Sequence, residues 1–398
     1  MDHKEKNIDV EKQKSMKEKI LNVFSNYSMV IVLCLSLVIF QIATEGVFLK
    51  PLNITNLILQ NSHILVLSIG MLMVVLLGDV DLSVGSLVAL IGAISSILII
   101  KHNIPTFLGV IICLLLGALI GAWNGFWIAK VGIPSFIVTI SGMLLFRGIT
   151  QVLLQGTSIA GYPKSFVYLS TGYLPNIGGS EINVTSILIS AAIIILFLGL
   201  SHTNRKKRIE AGVSVENKNI YLFKTIALVA VIAIITYTFA SYQGFPFILI
   251  LIVILATVYS IVTQKMAIGR HVYATGGNKK SAELSGINTT KVKFLVFVNM
   301  GVLAALAGLI LASRLNAATP QAGMGLETDA LSAVYFGGAS TSGGIGTISG
   351  TLIGGLIMGI LNNGMSIMGI GVDWQQAIRG LILLLAVVID KYNQKRKR

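Results

Sequence analysis

Residues 57–100 read LILQNSHILVLSIGMLMVVLLGDVDLSVGSLVALIGAISSILII, two apolar runs split by GDVDLSVGS at 78–86. Each run is long enough to cross about 30 Å of hydrocarbon as a helix. Both are continuous rather than alternating, which selects helices over barrel strands in lipid. The puzzle is the interruption, because Asp79 and Asp81 put two carboxylates directly after a span.

The same pattern repeats along the chain. Of 398 residues, 54% are apolar and 12% charged, and the mean hydropathy is +0.83. Further apolar runs lie near 28–45, 106–129, 135–155, 183–200, 223–241, 246–263, 294–313, 349–368 and 374–390. The sequence therefore predicts an all-α, polytopic membrane protein of about ten to twelve crossings.

Charge sets the orientation. The four segments 1–27, 201–224, 264–293 and 391–398 hold 23 of the 30 Lys and Arg, and the positive-inside rule places them in the cytosol with both termini. Residues 1–27 read as a cytosolic amphipathic lead-in, neither signal nor transit peptide, 28–390 as one transmembrane domain, and 391–398 as a basic tail. The net charge of +14 comes from these loops rather than from a nucleic-acid-binding stripe, so no nucleic-acid partner is expected. The loops holding Lys50, Lys101 and Lys164 carry single positive charges and face outward.

Parity then demands one more crossing. The span ending near Arg314 exits outward and the basic tail is inside, so a broken or re-entrant segment is placed at 327–341, ETDALSAVYFGGAST, followed by the turn SGGIGT. Non-helical backbone at membrane depth survives only inside protein or beside water, which makes 316–347 the leading candidate for a translocation path. Polar candidates for lining it are Asn124, Arg147, Asn316, Gln321, Ser340, Asn362 and Asn363, each of which would also serve as an interhelical hydrogen-bonding group.

Chemistry within the chain has little to build on. The sequence holds no phosphate-wrapping G-x-x-x-x-G-K-[ST] loop, and its five His are scattered without a metal-binding spacing. Cys34 and Cys113 lie inside apolar runs, so no disulfide is expected. An enzyme, a catalytic residue, a cofactor or a resident metal is not expected.

The loop QKMAIGRHVYATGGNKKSAELSGINTTKVK at 264–293 holds a short helical piece that Asn278 can cap and Gly286 can end, with Ala282, Leu284 and Ile287 offering an apolar face. In the opening interruption, Gly78 and Gly85 allow a sharp reversal at the cytosolic boundary. There Asp81 or Ser83 caps the next helix, and Asp79 and Asp81 serve as turn groups or as gate carboxylates.

VYATGGN followed by AELSGI resembles the cytosolic loop of sugar-type ABC importer permeases, the ribose, xylose and multiple-sugar branch. GDVDLSVGS at 78–86, NGFWIAKVGIPSFIVTISGMLLFRG at 124–148, SRLNAATPQAGMGLETDALSAVYFGGAST at 313–341 and GGIGTISGTLIGGLIMGILNNGM at 343–365 are similar to the same family in order, and the length fits the xylose or multiple-sugar members. The resemblance implies a permease of the bacterial inner membrane that imports a monosaccharide such as xylose or a related pentose or hexose. It also implies cytosolic ABC ATPase subunits, an extracytoplasmic sugar-binding protein and a second copy of the chain as partners. On this reading 278–287 is the coupling helix, with Asn278, Ser281, Ala282, Glu283, Leu284, Ser285 and Gly286 facing the ATPase. A nucleoside or other small polar solute is the alternative cargo, and an ion-coupled secondary transporter the alternative class.

Overall fold

A computed structural model describes residues 29–179, 182–213, 215 and 217–397; the lead-in 1–27 lies outside the described residues. Helices form wherever the apolar runs stand: α1 Met29–Ala43, α2 Pro51–Leu76, α3 Val84–Ser96, α4 Thr106–Gly125, α5 Ser135–Leu154, α6 Lys164–Thr171, α7 Val184–Glu210 and α8 Lys218–Ala240. They continue with α9 Phe247–Lys265, α10 Ala267–Gly277, α11 Lys279–Leu284, α12 Thr289–Leu315, α13 Leu326–Phe336, α14 Ile348–Ile367 and α15 Val372–Lys397. Single π-helical turns prolong α3 to Lys101 and α4 to Val131. Among the described residues, nine helices are long and apolar enough to cross a membrane. Residues 391–397 prolong α15 as helix.

The helix α12 is the axis of the bundle and packs along α4, α2 and α3. Small residues set those approaches. A methyl group on Gly301 would run into the Gly117 carbonyl and lie 2.7 Å from the Gly121 Cα, so α4 and α12 meet backbone to backbone. On the other side of α2, the helix α14 runs antiparallel, with Gly359 against Asn61 and Gly355 against Leu65.

Two crossings are interrupted. Asp79 contacts Lys293 near the basic end of α12, whereas α3 starts well above it. Gly92 faces Ala312 and Gly308 faces Val88 and Ile91, a register that puts Val84 roughly 16 Å along α12 from Lys293. Residues 79–83 therefore climb through about half the membrane without helix. From the opposite end, the chain leaves α12 at Leu315 and doubles back until Gly323 touches Gly85. The half-length helix α13 completes that second crossing toward the basic end.

The sequence placed the whole 78–86 stretch at the boundary and gave Gly85 a turn. Gly78 does adopt φ +76, but Gly85 is helical, and its missing side chain makes room for the Gly323 carbonyl and the Glu327 carboxylate. The reversal belongs to Gly78 alone, because the next residues pack into the bundle instead of turning at its surface.

The remaining irregular backbone is satisfied locally. A two-residue antiparallel pair joins Ile159–Ala160 to Ala317–Ala318, and the Asn316 side chain accepts from the Tyr162 amide at 2.9 Å.

If the α4–α12 seam is a close backbone contact, Gly301→Val forces the helices apart at a cost of about 1–3 kcal/mol or more. Gly148→Ala, which meets nothing within 4 Å, is the control. Detergent thermal-unfolding curves should show a lowered midpoint for the first and none for the second; equal midpoints would contradict the seam.

Candidate functional site

The two interruptions converge on one polar centre. Arg147, just over three turns into α5, donates through Nη1 to the carbonyls of Pro320 and Ala322 at 3.2 and 2.9 Å. A cation on a span thereby satisfies the non-helical backbone that leads into α13. Beside it sit the first-turn acids of α13, Glu327 and Asp329, at a helix N-terminus whose dipole favours negative charge. Asp329 is 1% exposed and pairs with Arg379 of α15 at 3.3 Å, with Asn362 of α14 alongside. The next residue of α14, Asn363, exchanges hydrogen bonds with Asn53 and reaches Gln60 at 3.4 Å.

A polar band thus runs from α5 across α13 to α15, α14 and α2, in a region where lone ionisable groups are costly. Both acids have an arginine nearby, so the band is close to neutral. Gln321 and Gln60 are exposed, and Met324 between the acids and the re-entrant stretch is 60% exposed. The band therefore opens to a surface of the single chain.

Of the seven path candidates, four lie on this band: Arg147, Gln321, Asn362 and Asn363. The other three have local work. Asn124 donates to Ser83 Oγ at 3.1 Å, Asn316 ends α12 in a left-handed conformation, and Ser340 sits in the tight turn where its amide donates to Ile345. Glu327, Asp329 and Arg379 are the central residues that the candidate set lacked. Asn61 and His63 of α2 are buried in the same span, away from any charge run. The signal that would have found Arg379 was present: it is a single cation inside an apolar run.

At the start of the first interruption, Asp81 is buried and its Oδ1 accepts from the Ser83 amide and hydroxyl at 2.9 and 2.6 Å. It closes an Asx turn before α3 and does not cap the helix itself, since Ser83 holds the cap position without a side-chain bond. Asp79 makes a 2.7 Å ion pair with Lys293.

The short helix α11 forms as its residues dictate. Asn278 accepts from the Ser281 amide at 2.9 Å, and Gly286 follows with φ +82. Ser285 donates back to the Ser281 carbonyl, while Glu283 accepts from Thr289 at 2.8 Å. The expected apolar face divides: Ala282 is buried within the chain, whereas Leu284 is 81% exposed. α11 rests against α10 and α12, where Ala282 is buried, and Leu284 points away because α11 is too short to bury both sides.

Behind α11, α10 presses on the broken crossing. A methyl group on Gly276 would strike the Leu76 carbonyl, and the Gly344 amide donates to that same carbonyl at 2.9 Å. Burial holds the Tyr273 phenol above its ordinary range, so it stays protonated and donates to the Gly346 carbonyl at 2.6 Å. Segment 264–293 therefore touches the basic ends of both interrupted crossings, through Lys293–Asp79 and through Gly276–Gly344.

Comparison with known proteins agrees with an integral transport fold. Residues 53–205 and 207–387 match the family described as "Branched-chain amino acid transport system / permease component". The chain is 39% identical to the xylose transport system permease protein of Haemophilus influenzae, over 93% of this chain and 97% of that one. It is 36% identical to the corresponding Escherichia coli xylose permease, over 96% and 94%, and 33% identical to the ribose import permease of H. influenzae, over 87% of each. No solved structure matches. The chain belongs to this family of multi-pass inner-membrane transport permeases. The relatives are permeases, not enzymes.

The ion pair at the centre gives a direct expectation. Arg379→Leu strands a buried carboxylate and should cost about 3–5 kcal/mol, while Asp329→Leu with Arg379→Leu should recover much of it. Unfolding midpoints of the two singles and the double measure this coupling; strictly additive losses would show that the pair is not formed.

Proposed function

We propose that the chain is the membrane-spanning subunit of an ATP-driven importer for a monosaccharide, with xylose or a related pentose first in order. The cargo reading rests on the xylose permeases, which match over nearly their whole length at higher identity than the ribose ones. The family description names branched-chain amino acids, but it covers a broad set of permeases, and the longer, closer matches carry sugar names. Hydroxyl-rich cargo also suits the amide-bearing band of Asn53, Gln60, Asn362 and Asn363, whose donors and acceptors match neutral polyols better than charged amino acids.

The single observation that carries the mechanism is the double contact of segment 264–293. Its exposed Leu284 offers a foothold to a cytosolic ATPase, and the same segment pairs with Asp79, lies against Gly344 and donates to Gly346. Movement of α10 and α11 is thereby transmitted to residues 77–83 and 337–346 together, which shifts the two interruptions relative to each other. An extracytoplasmic sugar-binding protein delivers cargo at the opposite end. Two copies of the chain pack with their polar bands facing a shared path, because such a band is unsuited to lipid. The basic loops, including 201–224 and 264–293, face the cytosol with both termini. The arginine beside each membrane acid supports coupling by a separate ATPase over coupling by an ion, which needs a carboxylate left to bind it.

Leu284→Asp removes the apolar foothold without touching the membrane, so insertion should stay normal. ATPase co-purification and sugar-stimulated ATP hydrolysis in vesicles should fall by about tenfold, within the usual 1–3 kcal/mol of coupling. A Leu284→Asp protein that retains the ATPase and transports normally would remove this loop from the coupling route.

A further inference from the structure

Helices α7 and α8 form a hairpin that stands apart from the bundle, with α8 touching only α7 and α2 to any extent. Its apolar residues face outward on most sides, among them Leu196, Ile220, Phe223 and Ile226. Lipid is their natural surrounding. At the basic end of the hairpin the sequence changes abruptly, from apolar residues up to 200 to SHTNRKKR at 201–208.

At that boundary a groove of about 430 Å³ lies between the two helices, lined by Phe197, Ser201, Asn204, Arg205, Arg208 and Tyr221, with Val215 from the connecting turn. The groove is organised around one cation. The Arg205 guanidinium stacks on the Tyr221 ring at 4.6 Å from its centre, and the Tyr221 hydroxyl is itself held by Ser201 Oγ at 3.0 Å. Stacking fixes the plane of the guanidinium and leaves its edge donors free for a planar or tetrahedral oxyanion. Among the described residues, no carboxylate pairs with Arg205 or Arg208, whereas the neighbouring Lys206 is engaged by Glu210 at 3.9 Å. Lys206 and Lys207 do not line the groove.

We propose that this groove binds the phosphate of an anionic phospholipid of the cytoplasmic leaflet. Arg205 and Arg208 hold the phosphate oxygens, Asn204 donates from the rim, and the acyl chains lie along Phe197 and the outward apolar residues of the hairpin. Charge and depth both favour a lipid over a soluble anion. The groove is cationic where it meets the aqueous phase and apolar immediately above, and a tyrosine marks the boundary as in membrane interface belts. The site would fasten a hairpin that has few contacts with the rest of its own chain.

Native mass spectrometry of the full chain in detergent tests this, with phosphatidylglycerol titrated against phosphatidylcholine of the same acyl chains. The wild type should retain phosphatidylglycerol preferentially. Arg205→Gln with Arg208→Gln should weaken retention about tenfold or more, while Lys206→Gln with Lys207→Gln, which removes the same charge outside the groove, should leave it within about twofold. Inorganic phosphate in molar excess should not displace the lipid. Equal retention of the two lipids, equal loss in both double variants, or displacement by inorganic phosphate would each overturn the proposal, the last by making the groove a free-anion site.

Discussion

Arg147 holding the carbonyls of Pro320 and Ala322 is the interaction on which the centre of the protein depends. A chain that stops being helical inside a membrane must find partners for its peptide groups, and lipid offers none. Residues 316–325 find them in the Arg147 guanidinium and in turns of their own, while the bare backbone of Gly85 leaves room for the segment to approach. Once that segment can descend, α13 begins partway through the membrane, and its first-turn acids are committed to burial. Arg379 then becomes necessary, since an unpaired Asp329 carboxylate at that depth would be far more costly than the pair.

The same constraint explains the asymmetry between the two ends. At the basic end, the interruptions are gripped by specific contacts: Lys293 on Asp79, the Leu76 carbonyl on Gly344, and Tyr273 on Gly346. Toward the opposite end, the polar band is partly open, with Gln60, Gln321 and Met324 uncovered. A fold that closes one end by contacts from the 264–293 segment and leaves the other to a facing surface is suited to alternating access. Rigid packing of α12 against α4 supplies the frame against which the interrupted crossings can shift.

Much of this was legible in the sequence. Hydropathy located the crossings within a few residues, since a long apolar run has one stable form in lipid. The Asn278 cap and Gly286 stop of α11 followed from local chemistry. Parity of charge exposed the broken segment. What the sequence did not reveal was depth. GDVDLSVGS has the composition of a surface turn, and only the approach of Gly323 and the Ser83–Asn124 bond draw it inward. Likewise the direction of Leu284 and Ala282 depends on how α11 rests on α10 and α12, a tertiary fact that periodicity over six residues does not encode.

The central claim is that the two interruptions meet within the membrane rather than lying on opposite surfaces. Its most direct measurement is the distance between nitroxide labels at Leu82→Cys and Met324→Cys, in a chain carrying Cys34→Ala and Cys113→Ala and diluted with unlabelled protein in lipid. Contact between Gly85 and Gly323 requires a label separation shorter than about 20 Å. A separation near the roughly 30 Å thickness of the hydrocarbon core would place the two segments at opposite faces and contradict the account.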